Sequence, residues 1–112
     1  MHFDEYQAKA AKTATYKGRG KTAGLVYVAL GLAGEAGEVA NKVKKILRGD
    51  KGYELTPEVK AAIIDEAGDV SWYLSQLCEE LGIGMAEVAQ RNLVKLADRA
   101  KRGVLKGSGD SR

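Results

Sequence analysis

An all-α fold, an antiparallel bundle of four main helices, follows from three features of this 112-residue chain. Apolar residues recur at three- and four-residue intervals through long segments, the helical period, and nothing reads as the alternation of a strand. The breaks between those segments hold glycines and other turn-forming residues. The connections are short, so successive helices must fold back on one another. A hydrophobic content of 45% is enough for one packed core, and one domain accommodates residues 1–112.

The first helix is expected from Phe3 to Thr15, with Asp4 and Glu5 in the N-terminal turn where the helix dipole favours anions. Tyr16 to Lys21 contains Gly18, Arg19 and Gly20 and reads as a loop. Lys12, Lys17, Arg19 and Lys21 surround it, either as a solvated basic loop or as a contact for phosphates. The second helix is expected from Leu25 to Arg48, with Val28, Leu32, Val39, Val43 and Ile46 on its core arc. Gly31, Gly34 and Gly37 each cost about 1 kcal/mol relative to alanine in a helix, so a close backbone or a ligand is expected beside them. Asp50 and Gly52 mark the turn after it.

The third helix starts at Pro57, with Thr56 as N-cap and Glu58 at the positive end of the dipole, and runs to Leu81 before Gly82 stops it. Its core arc is Ile63, Val70, Leu74, Leu77 and Leu81. The fourth spans Met85 to Arg102, with Leu93, Leu96, Ala97 and Ala100 inward and Gly103 as its stop. Residues 107–112 form a polar, glycine-rich tail.

Composition excludes several chemistries. His2 is the one histidine, so neither a zinc triad nor a Ser-His-Asp arrangement can be assembled. Cys78, the one cysteine, cannot form an intrachain disulfide and reads as a buried thiol. No apolar run approaches the ~18 residues of a membrane span, and Asp4 and Glu5 are out of place in a signal peptide. A cytoplasmic setting and no membrane partner are therefore expected. The net charge of +3 is mild, but its positive residues gather between Arg91 and Lys106.

Within Gly31-Leu32-Ala33-Gly34-Glu35-Ala36-Gly37-Glu38-Val39, two carboxylates lie at i and i+3, on one helix face. Glu66-Ala67-Gly68-Asp69 repeats the spacing and the small filler on the next helix. Like charges so placed repel by a few tenths of a kcal/mol unless a cation lies between them. At about 100° per residue, Glu35 and Glu38 flank the core arc of one helix, and Glu66 and Asp69 flank that of the other on the same side. Two helices facing each other across a hard divalent metal ion account for both pairs. On the fourth helix, Asn92, Lys95, Arg99 and Arg102 form a stripe at i, i+3, i+7 and i+10, either a wet basic face or the counter-charge for a polyphosphate.

Glu35-x-x-Glu38, a 27-residue spacer and Glu66-x-x-Asp69 resemble the EXXE…EXXD signature of the all-α nucleoside triphosphate pyrophosphohydrolases. The flanking residues, Leu30 to Val39 and Asp65 to Val70, resemble the MazG branch in its short, single-domain form. Asn92-x-x-Lys95-Leu96-x-x-Arg99 with Gly107-Ser108-Gly109-Asp110 is similar to small MazG-like proteins of phages and bacteria. The resemblance implies hydrolysis of a (d)NTP to a (d)NMP and pyrophosphate, with attack of a metal-activated water at the α-phosphorus. It implies Mg²⁺ or Mn²⁺, two or more ions per site, held by Glu35, Glu38, Glu66 and Asp69, and a homodimer or homotetramer packed through helix faces. It also implies substrate contacts from Asn92 and Lys95, extended to Arg99 and Arg102. Glu38 is one candidate for the proton acceptor, though all four acids are equivalent at this level. Tyr16, Tyr27, Trp72 and Tyr73 are candidates for stacking on a base, or for a subunit interface in the case of Trp72. The setting implied is a bacterium or a phage-infected host.

Two other readings compete. A phosphoribosyl-ATP pyrophosphohydrolase-like enzyme shares the fold and the metal logic. A catalytically silent basic helical module would use the fourth helix for regulation or nucleic-acid binding, which the hydrolase reading does not include.

Overall fold

The structure, a computed structural model, describes residues 1–110. It contains four helices, α1 (Phe3–Ala11), α2 (Thr22–Arg48), α3 (Pro57–Leu81) and α4 (Met85–Arg102), with no strand among the described residues. Of the tail expected at 107–112, residues 111 and 112 lie outside the described part.

The termini follow local chemistry. Thr56 Oγ1 accepts from Val59 N at 3.2 Å and Pro57 occupies the first turn of α3. Gly49, Gly82 and Gly103 end α2, α3 and α4 in the left-handed conformation, which glycine adopts without a Cβ penalty. α1 ends four residues earlier than expected, in a turn where Thr13 Oγ1 donates to Ala10 O. α2 starts three residues earlier than expected, because Gly24 packs against Gly18 O.

α2 and α3 form a long antiparallel hairpin. Gly24 lies against Glu80, and Gly31 against the Tyr73 ring, so seven residues forward on α2 match seven backward on α3. The same register places Glu35 opposite Asp69, Glu38 opposite Glu66, Lys42 opposite Ala62 and Lys45 opposite Val59. The loop before α2 is closed onto the end of α3 by Glu80, which accepts from Tyr16 Oη at 2.7 Å and from Gly20 N at 2.9 Å.

α1 is joined to the start of α4. Gln7 Oε1 accepts from Met85 N at 2.7 Å, and Gln7 Nε2 donates to Ile83 O at 3.0 Å. Asp4 Oδ1 accepts from Ala86 N at 3.0 Å. Asp4, expected to serve its own helix, therefore satisfies an orphan amide of α4, whose N-cap Gly84 has no side chain to do so.

α4 touches α1 and α3 but not α2. Its Leu93, Leu96, Ala97 and Ala100, expected inward, are exposed, because α4 leaves the hairpin after its first turns and nothing in the chain covers them. The buried apolar residues are few among the described residues: Ala10, Ala14, Val28, Cys78 and Met85. The radius of gyration is 16.9 Å, against about 13 Å for a compact domain of this size. One chain is thus an open arrangement rather than a closed bundle. One expectation is corrected: α2 holds an 18-residue window of mean hydropathy 1.3, long and apolar enough by composition to span a bilayer. Its leucines, valines and alanines raise that mean, while Glu35, Glu38 and Lys42 line one side of the helix.

Candidate active site

The α2–α3 register brings three of the four signature carboxylates together. Oxygen atoms of Glu35, Glu66 and Asp69 lie within 4.8 Å of one another. Glu38 sits outside that group and is exposed, though its charge still acts on Glu35. Burial, followed by the Asp69 and Glu66 charges, pushes the Glu35 carboxyl above its ordinary 4.5. Such a shift marks negative charge that the protein does not fully compensate. Oxygen-only donors at this separation suit a hard divalent cation.

The sequence reading missed Lys42. Its Nζ lies 3.3 Å from Glu66 Oε1, a cation at the edge of the acid cluster. A signal was present: Glu35, Glu38, Lys42 and Lys45 follow the spacing i, i+3, i+7, i+10 and share one face.

A row of aromatic rings leads from the acids towards the N-terminal end of α2. Tyr73 packs on Gly31 and stands 6.2 Å from Tyr27, which stacks on Tyr16 at 5.2 Å and 16°. The hydrogen bond with Tyr27, then burial, pushes the Tyr73 hydroxyl up to about 12, with further contributions from Tyr27, Glu35 and Asp69. Trp72 is half-buried, edge-on to Tyr16 and Tyr73, and donates from Nε1 to Thr13 Oγ1 at 2.8 Å. Beside these rings lies an open cleft of about 520 Å³, lined by Thr13, Thr15, Tyr16, Lys17, Tyr27 and Trp72. Arg19 lies over the Tyr16 ring at 5.7 Å.

The basic stripe of α4 is occupied otherwise. Asp110 Oδ1 lies 3.4 Å from Lys95 Nζ and 3.2 Å from Arg99 Nη2. These two cations, Arg99 first, hold the Asp110 carboxyl below its ordinary 3.8. Arg99 is buried, and its Nε has no hydrogen-bond partner among the described residues. Arg102 donates to Asp98 Oδ2 at 2.8 Å. Asn92 lines a small apolar cavity with Phe3, Leu74 and Met85. Neither Lys95 nor Arg99 is paired with any of the four signature acids; within one chain, their partner is the tail.

Residues 26–104 match the MazG nucleotide pyrophosphohydrolase domain. The chain belongs to this family. A similar protein is the "Gene 37 protein" of Mycobacterium phage L5, 52% identical over an alignment covering all of both chains. No solved structure matches the chain. The matched stretch contains all four signature acids, Lys42 and the whole basic stripe, and ends just beyond α4. Membership gives the acid cluster its chemical context, a nucleotide substrate whose phosphoanhydride is hydrolysed.

Proposed function

We propose that this chain is a metal-dependent nucleoside triphosphate pyrophosphohydrolase, converting a (d)NTP and water to a (d)NMP and pyrophosphate by attack at the α-phosphorus. The observation that carries the reading is the convergence of Glu35, Glu66 and Asp69 from two facing helices. These three residues, joined by Glu38 from the adjacent turn, would hold Mg²⁺ or Mn²⁺, two or more ions per site. When bound, the metal supplies Lewis acidity and a water of lowered pKa. Glu38, exposed and outside the three-acid cluster, is the candidate to accept that water's proton.

The open aromatic cleft takes the base, by stacking on Tyr16 or Trp72. Tyr73 and Tyr27 connect that cleft to the acids, so base and phosphates would lie along one side of α2. The basic stripe of α4, Asn92, Lys95, Arg99 and Arg102, contacts substrate once Asp110 is displaced. The exposed apolar residues of α4 and the open shape of the chain support a homodimer or homotetramer, acting in the cytoplasm of a bacterium or a phage-infected host.

The test is pyrophosphate release from a panel of nucleoside triphosphates with Mg²⁺ or Mn²⁺. Glu66→Gln should lower turnover on the order of 10²–10³-fold with the fold retained, and Glu38→Gln should abolish it. Near-normal activity in either variant removes that residue from the machinery. Lys95→Ala should weaken triphosphate handling; unchanged kinetics would make it a surface lysine. An inert protein that binds DNA or RNA with a steep salt dependence overturns the hydrolase reading.

A further inference from the structure

The groove between α2 and α3 does not end at the acid cluster. Towards the hairpin tip it opens into a pocket of about 260 Å³, lined by Lys42, Lys45, Lys51, Asp50, Val59 and Ala62. Three lysines against one carboxylate is an uncommon lining for a pocket that begins beside a group of acids. Asp50 does not cancel it, since Arg48 holds that carboxylate through Nε at 2.9 Å. Arg48 also keeps it below its ordinary 3.8, with Lys45 and Lys51 acting in the same direction. Lys42 bridges the two regions through its contact with Glu66. Lys45 and Lys51 make no ion pair within 4.0 Å among the described residues, and act on Asp50 only at longer range.

Position and direction agree with the charge. Lys45 follows Glu38 by seven residues, about 10 Å along the axis at 1.5 Å per residue. Helical side chains tilt towards the N-terminus, and on α2 that direction leads back to the acids. The ammonium group of Lys42 reaches the carboxylates, 3.3 Å from Glu66, while Lys45 lies one turn further on in the same lining and acts on Asp50. A chain of phosphates anchored at the acid cluster and directed away from the aromatic cleft would run straight into this pocket. On α4, Lys95 and Arg99 are held by Asp110.

We propose that the Lys42–Lys45–Lys51 pocket is an oligophosphate site, which takes the terminal phosphates of the substrate and holds the released pyrophosphate. This rests on the hydrolase reading for its substrate, but the pocket's affinity for a phosphate anion can be measured without turnover.

The experiment is calorimetric titration of the full-length protein with inorganic pyrophosphate, with and without Mg²⁺. The wild type is compared with the double variant Lys45→Met, Lys51→Met, which removes both charges and keeps the apolar stems. Lys101→Ala, an exposed residue of α4, serves as control, and circular dichroism checks that each variant folds. Pyrophosphate affinity should fall tenfold or more in the double variant and stay within twofold in the control. In steady-state kinetics the double variant should raise KM for the nucleotide far more than it lowers kcat, and the double Lys→Arg variant should restore most of the affinity. Pyrophosphate binding within twofold of wild type in the double variant overturns the proposal, as does a wild type that binds no pyrophosphate. A loss seen in Lys95→Ala but not in the double variant overturns it in favour of α4. If the protein turns over no nucleotide yet loses pyrophosphate on removal of Lys45 and Lys51, the pocket stands and the hydrolase reading falls. If turnover is intact and the pocket variants bind as wild type, the reverse holds.

Discussion

Gly31 and Gly34 are three residues apart on α2 and do different things. A Cβ on Gly31 would come within 2.1–2.5 Å of the Tyr73 ring, whereas one on Gly34, Gly37 or Gly68 would meet nothing within 4 Å. Gly31→Ala should therefore cost about 1–3 kcal/mol, the usual range for overpacking. Gly34→Ala should gain roughly 0.5–1 kcal/mol from helix propensity if that face stays open. Urea melts of both variants decide this, and a destabilised Gly34→Ala would show that a second chain covers the face. Asp110 is the other informative residue. Its folded pKa lies below the ordinary 3.8, so its contact with Lys95 and Arg99 is fully present above that value and is lost as pH falls through the lower, folded one. Asp110→Asn should speed backbone hydrogen exchange across residues 104–110; unchanged exchange would mean the tail is held by its backbone alone. Which glycine is crowded was not legible in the sequence, because all three share the same local pattern and only the partner helix distinguishes them.

At the scale of the elements, the helices were legible because their apolar period and their clearest boundaries, the Thr56 cap and the stops at Gly49, Gly82 and Gly103, have local causes. Thr56→Ala should cost about 1 kcal/mol, since it leaves Val59 N without its acceptor; a thermal melt measures it, and no change would mean that water replaces the cap. The facing of the two acidic motifs was also within reach. Residue 52 is midway between Glu38 and Glu66 and sits in the hairpin turn, so an antiparallel fold about it must bring the motifs level. What the pattern did not provide was the attachment of α1 to α4. Asp4 and Gln7 hold amides near position 85, about eighty residues away in sequence, and no periodicity within either helix encodes that. Asp4→Ala should accordingly loosen α4 rather than α1, read as faster amide exchange at Ala86 and Glu87. Loss of protection confined to α1 would contradict the assignment.

The whole chain buries little. Leu93 and Val94 remain 60% and 59% exposed, and α4 meets only α1 and α3. An open frame with apolar residues on its outer helix favours association, since burial of each such side chain is worth about 1.5–3 kcal/mol. Sedimentation should show a species larger than one chain, and the double variant Leu93→Asp, Val94→Asp should shift it towards monomer. A wild type that sediments as a monomer at micromolar concentration would remove the proposed dimer or tetramer.

The sequence by itself determined the four helices, the capped and glycine-stopped ends among them and the two acidic pairs, because period, caps and glycine stops act within a turn or two of the residue that carries them. It also determined the family resemblance, which rests on the order and spacing of a few residues. Only the tertiary structure decided which acids actually meet, that Lys42 stands among them and that a lysine-lined pocket continues the groove. It alone placed Asp110 on the basic stripe and left α4 without a core. Those outcomes depend on the register of one helix against another and on which surfaces the chain can reach, and neither is a property of a local stretch of residues.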